Sequence, residues 1–424
     1  MKIQNFETNF AILGSGAGGA SIAYELAKRG KKVIILEKGL ITGRIGTETA
    51  ATKFYDKYGL LKSKEGIIIY RTLMAGGTTV ASCGNGVRSL EKELLELGID
   101  IRNELDEAEK ELEVVPFDLN LMGDGTKKIW EASKQLGFEF EPMPKFIDFS
   151  KCVSCGNCVL GCLPQAKWTA LKYIEEAQKF GAKLITKFKL ESISISNNKA
   201  TGVVGSVENN SIRITADKII LSAGAIESPR ILQKAGLDVG NSLFCDLFTV
   251  LYGITENTGL SKEPTMAIVN HSFHKNDGFI LSPFLDSPLT LTMIHPKHLI
   301  LAAKRDRVLG MMVKIKDDSL GKIELRSISK KITENDKLKL EKGNEIAKKI
   351  LLKAGVNPKS LTLIKPRGAH PGGTIPIGKD VDKYHETKIK NLLVNDASIL
   401  PESPGLPPIL TIIAMSKRLA KNLC

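Results

Sequence analysis

The chain has 424 residues, enough for two or three folded units around a large core. Hydrophobic residues make up 42% and charged residues 25%, which excludes a disordered or fibrous chain. The formal charge is +13, yet the lysines are scattered and no basic block is interleaved with aromatics, so nucleic acid is not an expected partner.

No stretch approaches the roughly 20 apolar residues of a membrane span, and the N-terminus lacks a secretory pattern. A cytoplasmic protein with reduced thiols is expected.

In chain order, an apolar strand at 9–13 meets a glycine-rich turn, a helix containing Ile22 and Leu26, and a second strand at 32–36. This is a βαβ unit. Charged helical stretches follow at about 90–113 and 127–136, then a cysteine-rich loop, then a helix ending near Gly181. Residues 189–214 alternate apolar and polar with Asn-Asn breaks, as antiparallel hairpins do. A buried strand and helix follow in ADKIILSAGAIESPRILQKAG.

From about 241 to 324 the pattern is β-rich, with turn signals at 275–278, Pro283 and Pro288. Residues 333–355 read as a helix with a Thr cap and a Gly stop, and the last fifty residues return to α/β character.

Gly14, Gly16 and Gly19 form Gly-x-Gly-x-x-Gly between the first strand and helix, where glycine permits a tight turn and close approach of a pyrophosphate to the helix N-terminus. Glu37 ends the second strand, where a carboxylate can accept from ribose hydroxyls. The fingerprint alone does not separate NAD from FAD. FAD is favoured by a second glycine-rich stretch, RTLMAGGTTVASCGNG, able to cradle another part of a long cofactor, and by the late strand NLLVNDAS.

The N-terminal fingerprint, AGGTT at 75–79, SAGAIESPRIL at 222–232, and HPGGT, IGKDVD, NLLVNDAS and PPILTIIA near the C-terminus run in one order over nearly the whole chain. In these blocks the sequence resembles the glucose-methanol-choline (GMC) FAD-dependent oxidoreductases. The resemblance implies an α/β fold: an FAD-binding Rossmann-like domain with a β-sheet substrate domain.

Combined with the pattern above, it divides the chain into FAD-binding segments at 1–90, 185–240 and 366–424, a helical and iron-sulfur insertion at 91–184, and a substrate domain at 241–365. The FAD contacts it implies are Gly76, Gly77, Thr78, Ala223, Asp396, Ala397 and Pro408, the last opening a helix aimed at the flavin. The implied reaction oxidises an alcohol or polyol, passing hydride to flavin N5 and the proton to His370, which stands in His-x-x-Gly-Thr. The family usually carries Asn or His where this chain has Pro407, so His370 lacks its usual partner; either Asn85 replaces it or the reaction differs.

Cys152, Cys155, Cys158 and Cys162 follow Cys-x2-Cys-x2-Cys-x3-Cys, the spacing with which a bacterial ferredoxin loop binds [4Fe-4S]. In two-cluster ferredoxins the fourth cysteine serves another cluster, so here the fourth ligand is Cys162, Cys83 or Cys245. Zinc and plain structural thiols compete, but zinc sites usually pair two separated Cys-x2-Cys knuckles, which this chain lacks.

A flavin beside such a cluster suits a dehydrogenase that delivers electrons to a ferredoxin-like one-electron carrier. The alternatives are a ferredoxin-driven flavin reductase and a non-catalytic electron-transfer protein. His271, His274, His295 and His298 fall in the presumed substrate sheet, where scattered histidines outweigh a metal pair.

Overall fold

The computed structural model describes residues 3–42, 45–294 and 299–424. The βαβ unit forms from strand Ile3–Leu13, helix Ala17–Lys28 and strand Val33–Leu36. Val33–Leu36 is buried along its whole length, as a continuous apolar run on a parallel strand should be.

Seven strands make the first sheet, in the order Lys183–Ile185, Val33–Leu36, Ile3–Leu13, Asn210–Leu221, Lys199–Val207 and Lys189–Ser196, with Leu392–Val394 also pairing with Asn210–Leu221. The pairs linking Lys183–Ile185, Val33–Leu36, Ile3–Leu13, Asn210–Leu221 and Leu392–Val394 are parallel; the two hairpin strands are antiparallel. Strand 3–13 is longer than its apolar core because Ile3 to Thr8 continue alongside the start of 210–221. The carboxyl ends of the parallel strands meet on one edge, where open α/β sheets bind ligands.

The second sheet has five strands, ordered Phe279–Pro283, Val308–Ile315, Leu247–Ile254, Thr362–Gly368 and Ile68–Ile69. Helix Glu334–Lys353 covers it. Thr333 caps this helix in a reciprocal capping box with Asp336. Gly343 lies in its middle because an added Cβ would come within 2.3 Å of Val313 Cγ1 on the sheet.

The region expected to be β-rich also contains short helices, His274–Asp277, Pro288–Ile294 and Leu299–Ala303. His271 and His274 therefore sit outside the strands, with His274 Nε2 at 2.8 Å from the Pro404 carbonyl; His295 and His298 fall outside the described residues. No helix among the described residues is long and apolar enough to cross a membrane.

Arg367, on strand Thr362–Gly368, is 1% exposed and grips Asp286 with two bonds, Nη1 to Oδ1 at 3.1 Å and Nη2 to Oδ2 at 2.8 Å. It also donates to the Tyr70 hydroxyl and stacks over Phe248. Removing one partner would leave the other charge buried and uncompensated. Arg367→Met is thus expected to cost about 3–5 kcal/mol in urea unfolding. A loss below 1 kcal/mol would show the pair to be dispensable.

Candidate active site

The two sheets enclose a cavity of about 630 Å³. Four parallel strands deliver the loops that line its cofactor end: Gly14 to Gly18 after the first, Glu37 after the second, Ser222 to Glu227 after the strand Asn210–Leu221, and Asp396 with Ala397 after Leu392–Val394.

Gly14 has φ +105°, and a Cβ there would lie 2.2 Å from the Ser222 carbonyl oxygen. Above Gly16 the space is open except for Gly77 Cα at 3.9 Å. Helix Ala17–Lys28 begins there with no side-chain cap and no acidic residue in its first turn, so its free N–H groups face the cavity and suit a phosphate. Gly19 does not line the cavity; it packs against the Gly14 carbonyl.

Glu37 is 7% exposed, and its carboxylate accepts from Ser15 N, Ser15 Oγ and Gly39 N, which aims it along the cavity wall. Gly76, at φ +84°, turns the second glycine loop so that Gly77 and Thr78 line the cavity beside the first loop. Asp396 is saturated by the protein, accepting from Gly224 N, Ser228 Oγ, Ser398 N and Ser398 Oγ. Pro407 and Pro408 bring the uncapped start of helix Ile409–Leu423 to the cavity. An uncapped helix end, glycine loops without Cβ atoms and a ribose-height carboxylate fit a dinucleotide.

His370 lines the other end. Its Nδ1 donates to Asp246 Oδ2 at 2.8 Å, and its side chain remains 27% exposed. Asp246 also accepts from Ser403 Oγ at 2.7 Å and Gly405 N at 3.0 Å. With Nδ1 engaged by a carboxylate, Nε2 is the free acceptor. Burial, reinforced by Lys314, lowers the His370 pKa, against the opposing pull of Asp246. A base below its ordinary 6.5 is already neutral at pH 7. The acid limb of kcat/KM is therefore expected below pH 6.5. Asp246→Asn, which removes the tautomer-setting charge, is expected to lower kcat by about 10²-fold or more. An unchanged kcat would separate Asp246 from the site.

Asn85, also lining the cavity, accepts on Oδ1 from Lys145 Nζ at 2.6 Å, while its Nδ2 faces the Met266 sulfur at 3.4 Å. Reading the sequence missed Asp246 and Lys314. The available signal was the same for both: a single charged residue in or at the start of an otherwise apolar strand, LFCDLFTVLY and VLGMMVKI.

The cysteine loop borders the cavity through Val159 and Leu160, and Tyr55 donates from its hydroxyl to the Val159 carbonyl at 2.7 Å. Among the described residues, no three His, Cys, Asp or Glu side chains are grouped to hold a metal ion. The ligand cage expected at Cys152, Cys155, Cys158 and Cys162 is thus not preformed. Thiols that gather around a metal have little reason to converge as neutral, protonated groups.

Two buried cations and one half-buried cation nonetheless lie near them. Lys145 donates to the Cys83 and Thr265 carbonyls as well as Asn85, and Lys167 to the Val80, Ser82 and Cys158 carbonyls. Neither has a carboxylate partner among the described residues, and both feel the field of Cys158 and Cys83. Burial lowers the Lys145 pKa to about 8. Half-buried Arg305 has Glu48 and Asp306 as well as Cys155 among its electrostatic neighbours, and its Nε and Nη2 have no hydrogen-bond partner among the described residues. Lys145 and Lys167 are thus buried positive charges with no carboxylate of the described residues against them. Cys245 lies apart, buried beside Asp317 and Lys330.

The GMC oxidoreductase family model matches residues 98–248, and a model of the NAD(P)-binding Rossmann-like domain matches residues 12–60. The chain belongs to the GMC oxidoreductase family. An uncharacterized protein of Methanocaldococcus jannaschii is 34% identical over 418 residues, covering 98% of this chain and 99% of that one. An uncharacterized GMC-type oxidoreductase of Mycobacterium tuberculosis is 26% identical over 484 residues, 96% of this chain and 74% of its own. A variant of the formate oxidase of Aspergillus oryzae has the same fold at TM-score 0.76 and 14% identity, over 98% of each chain. This GMC protein is an FAD-dependent oxidoreductase.

Proposed function

We propose that this GMC oxidoreductase is a dehydrogenase of CH–OH groups, with His370 as the base that removes the hydroxyl proton. The observation that carries the reading is the His370–Asp246 pair facing the cavity at 2.8 Å. When bound, FAD supplies the two-electron acceptor for the hydride leaving the same carbon. Gly14, Gly16, Glu37, Gly77, Thr78, Ala223, Asp396 and Ala397 would hold it, with Gly19 and Gly76 shaping the loops. Asn85 donates from Nδ2 to the substrate oxygen, because its Oδ1 is committed to Lys145 and Pro407 offers no donor. The substrate carbon is shielded from water by Phe248, Met266, Phe284 and Met312.

The second cofactor of this reading is a [4Fe-4S] cluster held by Cys152, Cys155, Cys158 and Cys162, with Cys83 as the reserve fourth ligand. Its support is the cysteine spacing together with the buried charge of Lys145 and Lys167, which no carboxylate of the described residues pairs. Such a cluster, when bound, supplies one-electron transfer. The exposed Val153 and Leu163 on the same loop, and the overall charge of +13, suit a small acidic carrier of the ferredoxin type. Thiolate ligands of this kind need a reducing compartment, which supports a cytoplasmic location.

The test is anaerobic: the flavin absorption should bleach with an alcohol or hydroxy compound and recover with a one-electron dye. No bleaching by any member of a broad alcohol panel, with reoxidation by a carbonyl acceptor instead, would favour the reductase reading.

A further inference from the structure

Five lysines of the described chain are at most 3% exposed: Lys145, Lys167, Lys314, Lys330 and Lys417. Four have dedicated partners. Lys145 and Lys167 are held by carbonyls and an amide oxygen, Lys330 by Asp317, and Lys417 by Glu25 and Glu111. The side chain of Lys314, 2% exposed, makes no hydrogen bond and no ion pair with any described residue. An unpaired buried ammonium costs several kcal/mol, so the fold retains it against a penalty.

Its direction follows from the strand. In Val308–Ile315 alternate residues share a face, and Met312 and Lys314 both line the cavity, while Val313 faces the covering helix. Lys314 is paired across the sheet with Phe248, another cavity residue. Its electrostatic neighbours are Asp246 and Cys83, and His370 in turn feels Lys314. Asp246 acts on it through the field but makes no ion pair with it, its carboxylate being turned to His370, Ser403 and Gly405. The result is one unsatisfied cation in an apolar recess beside the base.

The geometry points to Lys314 Nζ as the recognition group for a carboxylate on the substrate, which makes the substrate class a hydroxy acid whose hydroxyl meets His370. This rests on the CH–OH reading above. A single ammonium with three donors satisfies one carboxylate, and the surrounding Phe248, Met266, Phe284 and Met312 would accept its carbon skeleton. Oxidation converts the hydroxy acid to the oxo acid, its carbon losing a hydride to FAD and its oxygen a proton to His370.

The test uses the FAD-loaded, full-length protein under nitrogen, with butanoate, 2-hydroxybutanoate, its methyl ester and 1-butanol as probes. Flavin difference spectra should show saturable binding of both carboxylates. Lys314→Met should weaken that binding about 30-fold or more and Lys314→Arg only a few-fold, while the affinity for ester and alcohol, which offer Nζ no charge to pair, should fall far less. Equal binding of acid and ester by the wild-type protein, or undiminished carboxylate binding by Lys314→Met, would overturn the assignment. The first comparison needs no variant and stands even if Lys314→Met fails to fold. Carboxylate binding through Lys314 with no bleaching by any hydroxy compound would keep the anion site and remove the CH–OH reading. Bleaching by 1-butanol without carboxylate binding would do the reverse.

Discussion

Replacing His370 by alanine is expected to lower the rate of flavin bleaching by substrate about 10²–10⁴-fold while leaving FAD bound at the wild-type ratio. The two expectations come from different parts of the cavity. FAD is proposed to be held by the glycine loops and strand ends around Gly14 and Asp396, which share no hydrogen bond with the imidazole. Chemistry depends on an acceptor at the substrate hydroxyl, and alanine provides none. The wild-type rate should fall as pH drops through the depressed His370 pKa, because protonation removes the acceptor. The variant should show no such limb. A variant that keeps both rate and limb would transfer the role of base to another group.

The cysteine loop should yield the second large effect. Protein purified without oxygen is expected to contain about four irons and four sulfides per chain, and to show a broad brown absorption beneath the flavin bands. Cys155→Ser is the informative variant, because Cys155 is exposed and its loss removes little packing. It should lose most of the iron and retain FAD, since the glycine loops proposed to hold the nucleotide are elsewhere. Zinc in place of iron would make the loop a structural site. Absence of any metal would leave Lys145 and Lys167 as buried positive charge without a counter-ion, and the electron-carrier proposal would fall with it.

Much of this protein is legible before any coordinates because its signals are local. The βαβ unit, the capped helix after Thr333 and the hairpins around Asn197 and Asn198 depend on neighbours a few residues away. Elsewhere the decisive contacts are long-range. Ile68–Ile69 is too short to declare itself, yet it joins the second sheet beside Arg367 and Gly368. The Pro288–Ile294 helix lies in a stretch whose prolines read as turns.

The site divides in the same way. Glycines that need unusual φ values, a carboxylate at a strand end and closely spaced cysteines are patterns of adjacent residues, so the sequence alone determined a dinucleotide fold and the candidate cluster loop, while the candidate base His370 came from the family resemblance. The pairing of His370 with Asp246 spans 124 residues, and Lys314 reaches the same recess from a third strand. No local spacing encodes such a meeting. Only the closure of the second sheet against the nucleotide domain decided which buried charges face the cavity, and which one among the lysines was left without a partner, because burial and pairing are properties of the packed chain.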